Sequence, residues 1–241
     1  MQSRRFVSPV FQPVVEMQSG ALVYLEALAR TPERTDGHLK LIELGESYGF
    51  VHLIDLEMLE QVFPILEDNP ENVVAVNVSV LTIERSLNEL LSRIFLWMSC
   101  AERVVFEITE TVKISRPDRI KLFVDTVRMV HARIALDDYS DGVFGAGIIE
   151  LLKPDFVKFD GSSVDRISET GDTTEIVRIS KKIEPWNGRV IAEKVDSFRK
   201  LDILKSAGIE LGQGYCFGKA QHYKSMPSSQ LQCCLQEAAA S

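Results

Sequence analysis

Seven short apolar runs in this 241-residue chain carry, at or near their C-terminal ends, a group able to do chemistry. Val-Tyr-Leu leads to Glu26, Val-Ala-Val to Asn77, Val-Val-Phe to Glu107, and Ile-Ala-Leu to the pair Asp137-Asp138. Phe-Val leads to Lys158 and then Asp160, Val-Ile-Ala to Glu193, and Leu-Gly to Gln213. Each has an ordinary explanation when taken alone. A carboxylate at a strand end more often caps the next helix than binds a ligand. Asn77-Val78-Ser79 reads as a cap and a turn, and Lys158 and Asp160, on one face of a strand, as a buried ion pair. As a set they are harder to dismiss. Five or more carboxylates gathered at one rim would repel one another and lose hydration, and one lysine cannot neutralise them. Divalent cations can. The donor set is all oxygen, which suits Mg²⁺, Mn²⁺ or Ca²⁺ rather than Zn²⁺ or copper. Adjacent Asp137 and Asp138 serve two ions if one carboxylate bridges them, and a pair ~3.5–4 Å apart is the usual arrangement for displacement at phosphorus. The residue types point to metal-dependent phosphoester hydrolysis.

The elements that must position these groups alternate along the chain. Strand-like runs fall at 6–15, 21–28, 73–80, 103–109, 133–138, 156–160, 189–195 and 209–217. Amphipathic helical segments lie at 39–66, 84–98, 117–132, 174–185 and 198–207. Strand–helix alternation implies a parallel sheet covered by helices. Eight strands in this length fit a closed barrel, whose active sites lie at the C-terminal rim of the strands. An open doubly wound sheet is the alternative, but it wants a Gly-rich turn after an early strand, and there is none. The first two runs are separated by Glu16-Met17-Gln18-Ser19-Gly20, hairpin spacing with Gly at the turn, so the first pair is antiparallel.

Composition narrows the setting. With 45% hydrophobic and 26% charged residues the chain is a folded one, read as a single domain over 1–241. A net charge of −8 argues against a polymeric nucleic-acid partner, though not against a small anion. Cys100, Cys216, Cys233 and Cys234 form no CxxC pair and read as free thiols in a reduced cytosol. Pro9, Gln12 and Pro13 break any leader-like apolar stretch, and no window approaches ~18 apolar residues. The expectation is a soluble, cytoplasmic chain without membrane insertion.

The motifs, in order, resemble a known family. Phe11-Gln12-Pro13-Val14-Val15 and Leu25-Glu26-Ala27-Leu28-Ala29-Arg30 resemble the opening of EAL domains, the bacterial cyclic di-GMP phosphodiesterases. Asn77-Val78-Ser79, Phe106-Glu107-Ile108-Thr109-Glu110, Ala135-Leu136-Asp137-Asp138, Val157-Lys158-Phe159-Asp160, Ala192-Glu193-Lys194-Val195-Asp196 and Gly212-Gln213-Gly214-Tyr215 follow as that family's later motifs do. The resemblance implies a modified (β/α)₈ TIM-like barrel, of class α/β, with an antiparallel first strand. It implies hydrolysis of cyclic di-GMP to linear pGpG with two Mg²⁺ or Mn²⁺ ions per active site. Ca²⁺, with longer bonds and looser coordination, is expected not to support turnover. By matching positions, Glu26, Asn77, Glu107 and Asp137 hold the first ion, and Asp137, Asp138 and Glu193 attend the second. Lys158 positions the attacking water and offsets charge, and either it or Glu193 takes the proton. Gln213 orients water or ligand. Gln12, Leu28 and Arg30 contact substrate, and Glu110 anchors the loop after the paired Asp. A homodimer, and a sensory or regulatory protein partner, are further implications.

The chain departs from the pattern in places. Tyr139-Ser140-Asp141-Gly142 stands where active members have Phe-Gly-Thr-Gly or a near variant. Lys194 replaces Gly, Asp196 replaces Glu, and Ala220 replaces Pro. The altered loop keeps two alternatives open: a catalytically weak or inactive cyclic di-GMP receptor, and a protein-interaction module.

Overall fold

The computed structural model describes residues 5–31, 37–109, 114–139 and 147–223. Glu110, positions 140–142, Cys233, Cys234 and the tail lie outside them. Eight strands follow one another in chain order around a closed barrel with helices between them, the expected α/β architecture. They are β1 (Ser8–Glu16), β2 (Leu22–Arg30), β3 (Val74–Ser79), β4 (Val104–Thr109), β5 (Arg133–Tyr139), β6 (Phe156–Phe159), β7 (Arg189–Ala192) and β8 (Leu211–Gln213). The helices are α1 (Gly37–Tyr48), α2 (Val51–Asp68), α3 (Val80–Leu96), α4 (Pro117–Met129), α5 (Ile148–Leu152), α6 (Gly161–Thr170), α7 (Thr174–Ile183) and α8 (Phe198–Ser206). None of these helices is long and apolar enough to cross a membrane.

The chain contacts divide into two compact units, the described residues of Met1–Phe11 and Glu26–Arg133, and those of Gln12–Leu25 and Ile134–Ser241. In the first unit β3 and β4 run parallel, in unbroken register from Val74↔Val104 to Ser79↔Thr109. Both are Val-rich and almost wholly buried on both faces, as a parallel strand under helices requires. In the second unit β5, β6, β7 and β8 run parallel. There β1 lies antiparallel to β8, with Val14 opposite Gln213, so the first strand is the reversed one. Its hairpin closes through Glu16 N–H to the Ala21 carbonyl at 2.9 Å and Gly20 N–H to the Glu16 carbonyl at 2.8 Å.

Several boundaries differ from the sequence expectation. The helical pattern at 39–66 is two helices, because Gly49 takes φ +80°, which ends α1. Helix α3 begins at Val80, not 84, because the Ser79 side chain accepts the Leu81 N–H at 3.2 Å and starts a helix directly at the strand end. Strand β7 is shorter than the run 189–195, since Lys194 takes φ +53° and turns the chain. Helices α5 and α6 were not anticipated. In α6 only Ser163, Val164 and Ile167 are buried, too few apolar positions to show a period.

Candidate metal centre

In the first unit, β2 and β3 supply Glu26 and Asn77, and β4 supplies Glu107. Asn77 and Glu107 are register partners on adjacent parallel strands, so their side chains leave the sheet on the same face. The Asn77 Nδ2 donates to Glu26 Oε1 at 3.1 Å. Glu26 is 4% exposed and Glu107 fully buried. The other end of the same amide, Asn77 Oδ1, is buried and accepts no hydrogen bond. A buried acceptor without a donor costs ~1–3 kcal/mol, so this carbonyl is arranged for something other than protein. Ser79, two residues on, is spent on capping, which separates the roles that the Asn77-Val78-Ser79 motif had left merged.

In the second unit the ligand atoms of Asp137, Asp138 and Glu193 all lie within 4.8 Å of one another. Strict alternation would send adjacent Asp137 and Asp138 to opposite faces of β5. The strand avoids this with a bulge. Leu136 pairs with Val157 and Tyr139 with Phe159, so two residues of β5 stand opposite Lys158 alone. Asp138 takes φ +51°, a left-handed conformation that Asp tolerates better than most residues. Lys158, 1% exposed, extends its ammonium between Asp137 Oδ1 at 2.8 Å and Glu193 Oε1 at 2.9 Å. Its single positive charge does not balance three gathered carboxylates. The expected ion pair within β6 is replaced by these two.

Asp160 illustrates the ordinary fate of a strand-end carboxylate. It caps α6, accepting from the Ser163 N–H at 3.0 Å and the Ser162 hydroxyl at 2.5 Å. Burial works against its charge, but these hydrogen bonds hold its pKa below the usual carboxylate value. Gln12 donates from Nε2 to the Gly218 carbonyl at 3.2 Å, tying β1 to the turn after β8. Arg30, half-buried at the end of β2, donates to its neighbour's carbonyl, Ala29 O, at 2.9 Å, and Leu28 is half-buried beside it. Gln213 is buried, and its backbone carbonyl accepts the Val195 N–H at 3.0 Å. The bulge, the left-handed Asp138 and a second charge cluster at Asp165, Lys194 and Lys200 were missed in the sequence. No local pattern marks them, because each depends on a strand or helix distant in the chain.

An orphaned amide oxygen beside buried carboxylates, and a cluster of three carboxylates of which two share one ammonium, offer oxygen donors that fit a hard divalent cation.

The family described as EAL domain matches residues 1–220. A relative in Escherichia coli (strain K12), "Probable cyclic di-GMP phosphodiesterase PdeB", is 26% identical over 220 residues, which cover 87% of this chain and 42% of that protein. The cyclic di-GMP phosphodiesterase PdeB of Shewanella oneidensis is 27% identical over 207 residues, covering 82% of this chain and 24% of the relative. The chain thus spans less than half the length of these relatives. Among solved structures, a standalone versatile EAL protein from Vibrio cholerae O395 in its c-di-GMP bound form superposes with a TM-score of 0.75 at 24% identity, covering 94% of this chain and 97% of that one. Klebsiella pneumoniae BlrP1, in a manganese and cyclic di-GMP complex, gives 0.74 at 21%, covering 90% and 57%.

Proposed function

The chain belongs to the EAL domain family, and from that premise we propose that it hydrolyses cyclic di-GMP to linear pGpG with Mg²⁺ or Mn²⁺. The observation that carries this is the cluster of Asp137, Asp138 and Glu193, two of whose members pair with the Lys158 ammonium, with the Asn77 carbonyl left free of hydrogen bonds. The sequence keeps a residue of matching type at each position that resembles a family ligand. Glu26, Asn77, Glu107 and Asp137 would hold one ion, and Asp137, Asp138 and Glu193 a second. Bound there, divalent cations would supply Lewis acidity, lowering the pKa of a water and neutralising phosphoryl charge.

The chain's own residues then divide the remaining work. Lys158 is already engaged as a cation by two carboxylates, so it serves as the charge that offsets the phosphoryl oxygens. Glu193 is the carboxylate that takes the water's proton. Arg30 holds a substrate phosphate as a charge-assisted donor, with Gln12 and Leu28 beside it. Gln213, buried at the end of β8, orients water or ligand. Glu110 anchors the loop after the paired Asp. The protein acts in the cytoplasm as a homodimer, under a sensory or regulatory protein partner.

Chromatography of the nucleotide after incubation with Mn²⁺ tests this. Linear pGpG is the expected product. Intact cyclic di-GMP that stays bound would instead favour the receptor reading, for which the altered loop at 139–142 is the motive.

A further inference from the structure

Glu193 is the first residue after β7, and the backbone that follows it is unusual. Its N–H donates to the Phe159 carbonyl at 3.1 Å. The next residue, Lys194, takes φ +53°, a conformation that side chains other than Gly rarely adopt. Such a turn persists only where its surroundings hold it. Packed against it is Lys200, in the first turn of α8, which donates to the Lys194 carbonyl. Its side chain is 8% exposed. The ammonium has three protons and meets three acceptors: the Lys194 carbonyl at 3.0 Å, Asp196 Oδ1 at 2.7 Å and Asp165 Oδ1 at 2.6 Å. Asp165, on α6, also receives the Lys194 ammonium on its other oxygen, at 2.7 Å. Gly161 completes the arrangement from below. A Cβ there would lie 2.6 Å from Lys194 Cδ and 2.9 Å from its Cβ, so the stem of Lys194 occupies the space that a side chain at 161 would need.

We propose that Lys200 is a positioning residue: with Asp165 and Gly161 it locks the left-handed turn at Lys194 and so fixes where the Glu193 carboxylate stands among Asp137 and Asp138. The Lys200 ammonium contacts none of Asp137, Asp138 and Glu193. It acts through one backbone carbonyl and two carboxylates, on the turn that begins one residue after Glu193. The charges are suited to a permanent lock. Burial works against the Lys200 charge, but Asp165 and Asp196 raise its pKa above the usual lysine value, and hydrogen bonds from Lys194 and Lys200 lower that of Asp165. Neither end of the pair is released by a pH change near neutrality. The catalytic consequence rests on the phosphodiesterase reading; the lock on the turn does not.

Three variants test it: Lys200→Met keeps the stem and removes all three donors, Lys200→Arg restores a cation, and Gly161→Ala disturbs the Lys194 stem while leaving every charge in place. Amide hydrogen exchange of 193–197 is measured without metal, Mn²⁺ binding by electron paramagnetic resonance, and hydrolysis separately. In Lys200→Met and Gly161→Ala, exchange over 193–197 should quicken about tenfold while β5 and β6 keep their protection. The weaker Mn²⁺ site should lose about 10-fold to 100-fold in affinity, as when a ligand's supporting partner is removed. Lys200→Arg should fall between these variants and wild type. In hydrolysis kcat should drop and KM stay near its wild-type value. Wild-type exchange at 193–197 in Lys200→Met would overturn the proposal. So would faster exchange spread evenly over β5–β8 in Lys200→Met and Lys200→Arg alike, which would make Lys200 general support. A wild-type protein that shows the expected exchange pattern across the variants but leaves cyclic di-GMP intact would support the lock and overturn the phosphodiesterase reading.

Discussion

Asn77 divides its amide between two tasks: the nitrogen holds Glu26 and the oxygen is kept free of donors. Replacing Glu26 with Ala should abolish hydrolysis by removing one carboxylate of the proposed first ion set. Far-UV circular dichroism should stay unchanged, with a stability loss of about 1–3 kcal/mol because the Asn77 Nδ2 loses its acceptor. Wild-type turnover in that variant would argue that Glu26 holds no ion. Lys158 is a separate case. Lys158→Met keeps the buried stem but leaves Asp137 and Glu193 facing each other. Turnover should fall roughly 10²–10³-fold, the scale on which a group aimed at developing charge acts. Mn²⁺ should bind at least as tightly as in wild type, because the competing ammonium is gone. Weaker Mn²⁺ binding would show that Lys158 organises the cluster instead of competing for it.

At the scale of elements, what was legible was the strands that run without interruption. Val74, Ala75 and Val76 before Asn77, and Val104, Val105 and Phe106 before Glu107, announce buried parallel strands and place a polar residue at each end. What was not legible was the bulge in β5, because the sequence of Asp137 and Asp138 is the same whether the strand alternates or bulges. The bulge itself can be tested. Asp138→Asn suits the left-handed backbone and should leave stability near wild type while weakening Mn²⁺ binding. Asp138→Val carries a β-branched side chain into φ > 0 and should cost about 1–3 kcal/mol in urea unfolding. Equal stability of the two variants would mean that the bulge does not persist in solution. A second element-scale device lies where α2 meets the start of α3. Asp55 is buried and accepts from the Ser79 N–H at 2.9 Å and the Thr82 hydroxyl at 2.5 Å. Burial raises its pKa from 3.8 to about 7, against the opposing effect of these hydrogen bonds. Between those values the folded chain carries a proton that the unfolded chain has lost. This contribution to stability is therefore fully present below the unfolded value and is lost as pH rises through about 7. Asp55→Asn should remove that part of the pH dependence and be more stable than wild type at pH 8, measured by urea unfolding at pH 5 and pH 8. Parallel pH profiles for the two proteins would contradict it.

For the whole molecule, the family and the barrel are established, and the reaction is what the acidic strand ends are proposed to serve. With a net charge of −8, the proposed approach of an anionic dinucleotide to these carboxylates would be repelled unless cations intervened. The choice of ion then matters. Ca²⁺ takes bonds of ~2.3–2.6 Å with loose, higher coordination, whereas Mg²⁺ demands ~2.0–2.1 Å and octahedral order. Cyclic di-GMP should bind in Ca²⁺ without being cut. The most direct measurement follows turnover of cyclic di-GMP against bound Mn²⁺, counted by electron paramagnetic resonance in the same samples. The account predicts two Mn²⁺ per chain, linear pGpG formed in proportion to the doubly loaded protein, and none in Ca²⁺ or after chelation. Turnover that persists after chelation, or two Mn²⁺ bound with no pGpG formed, would contradict it.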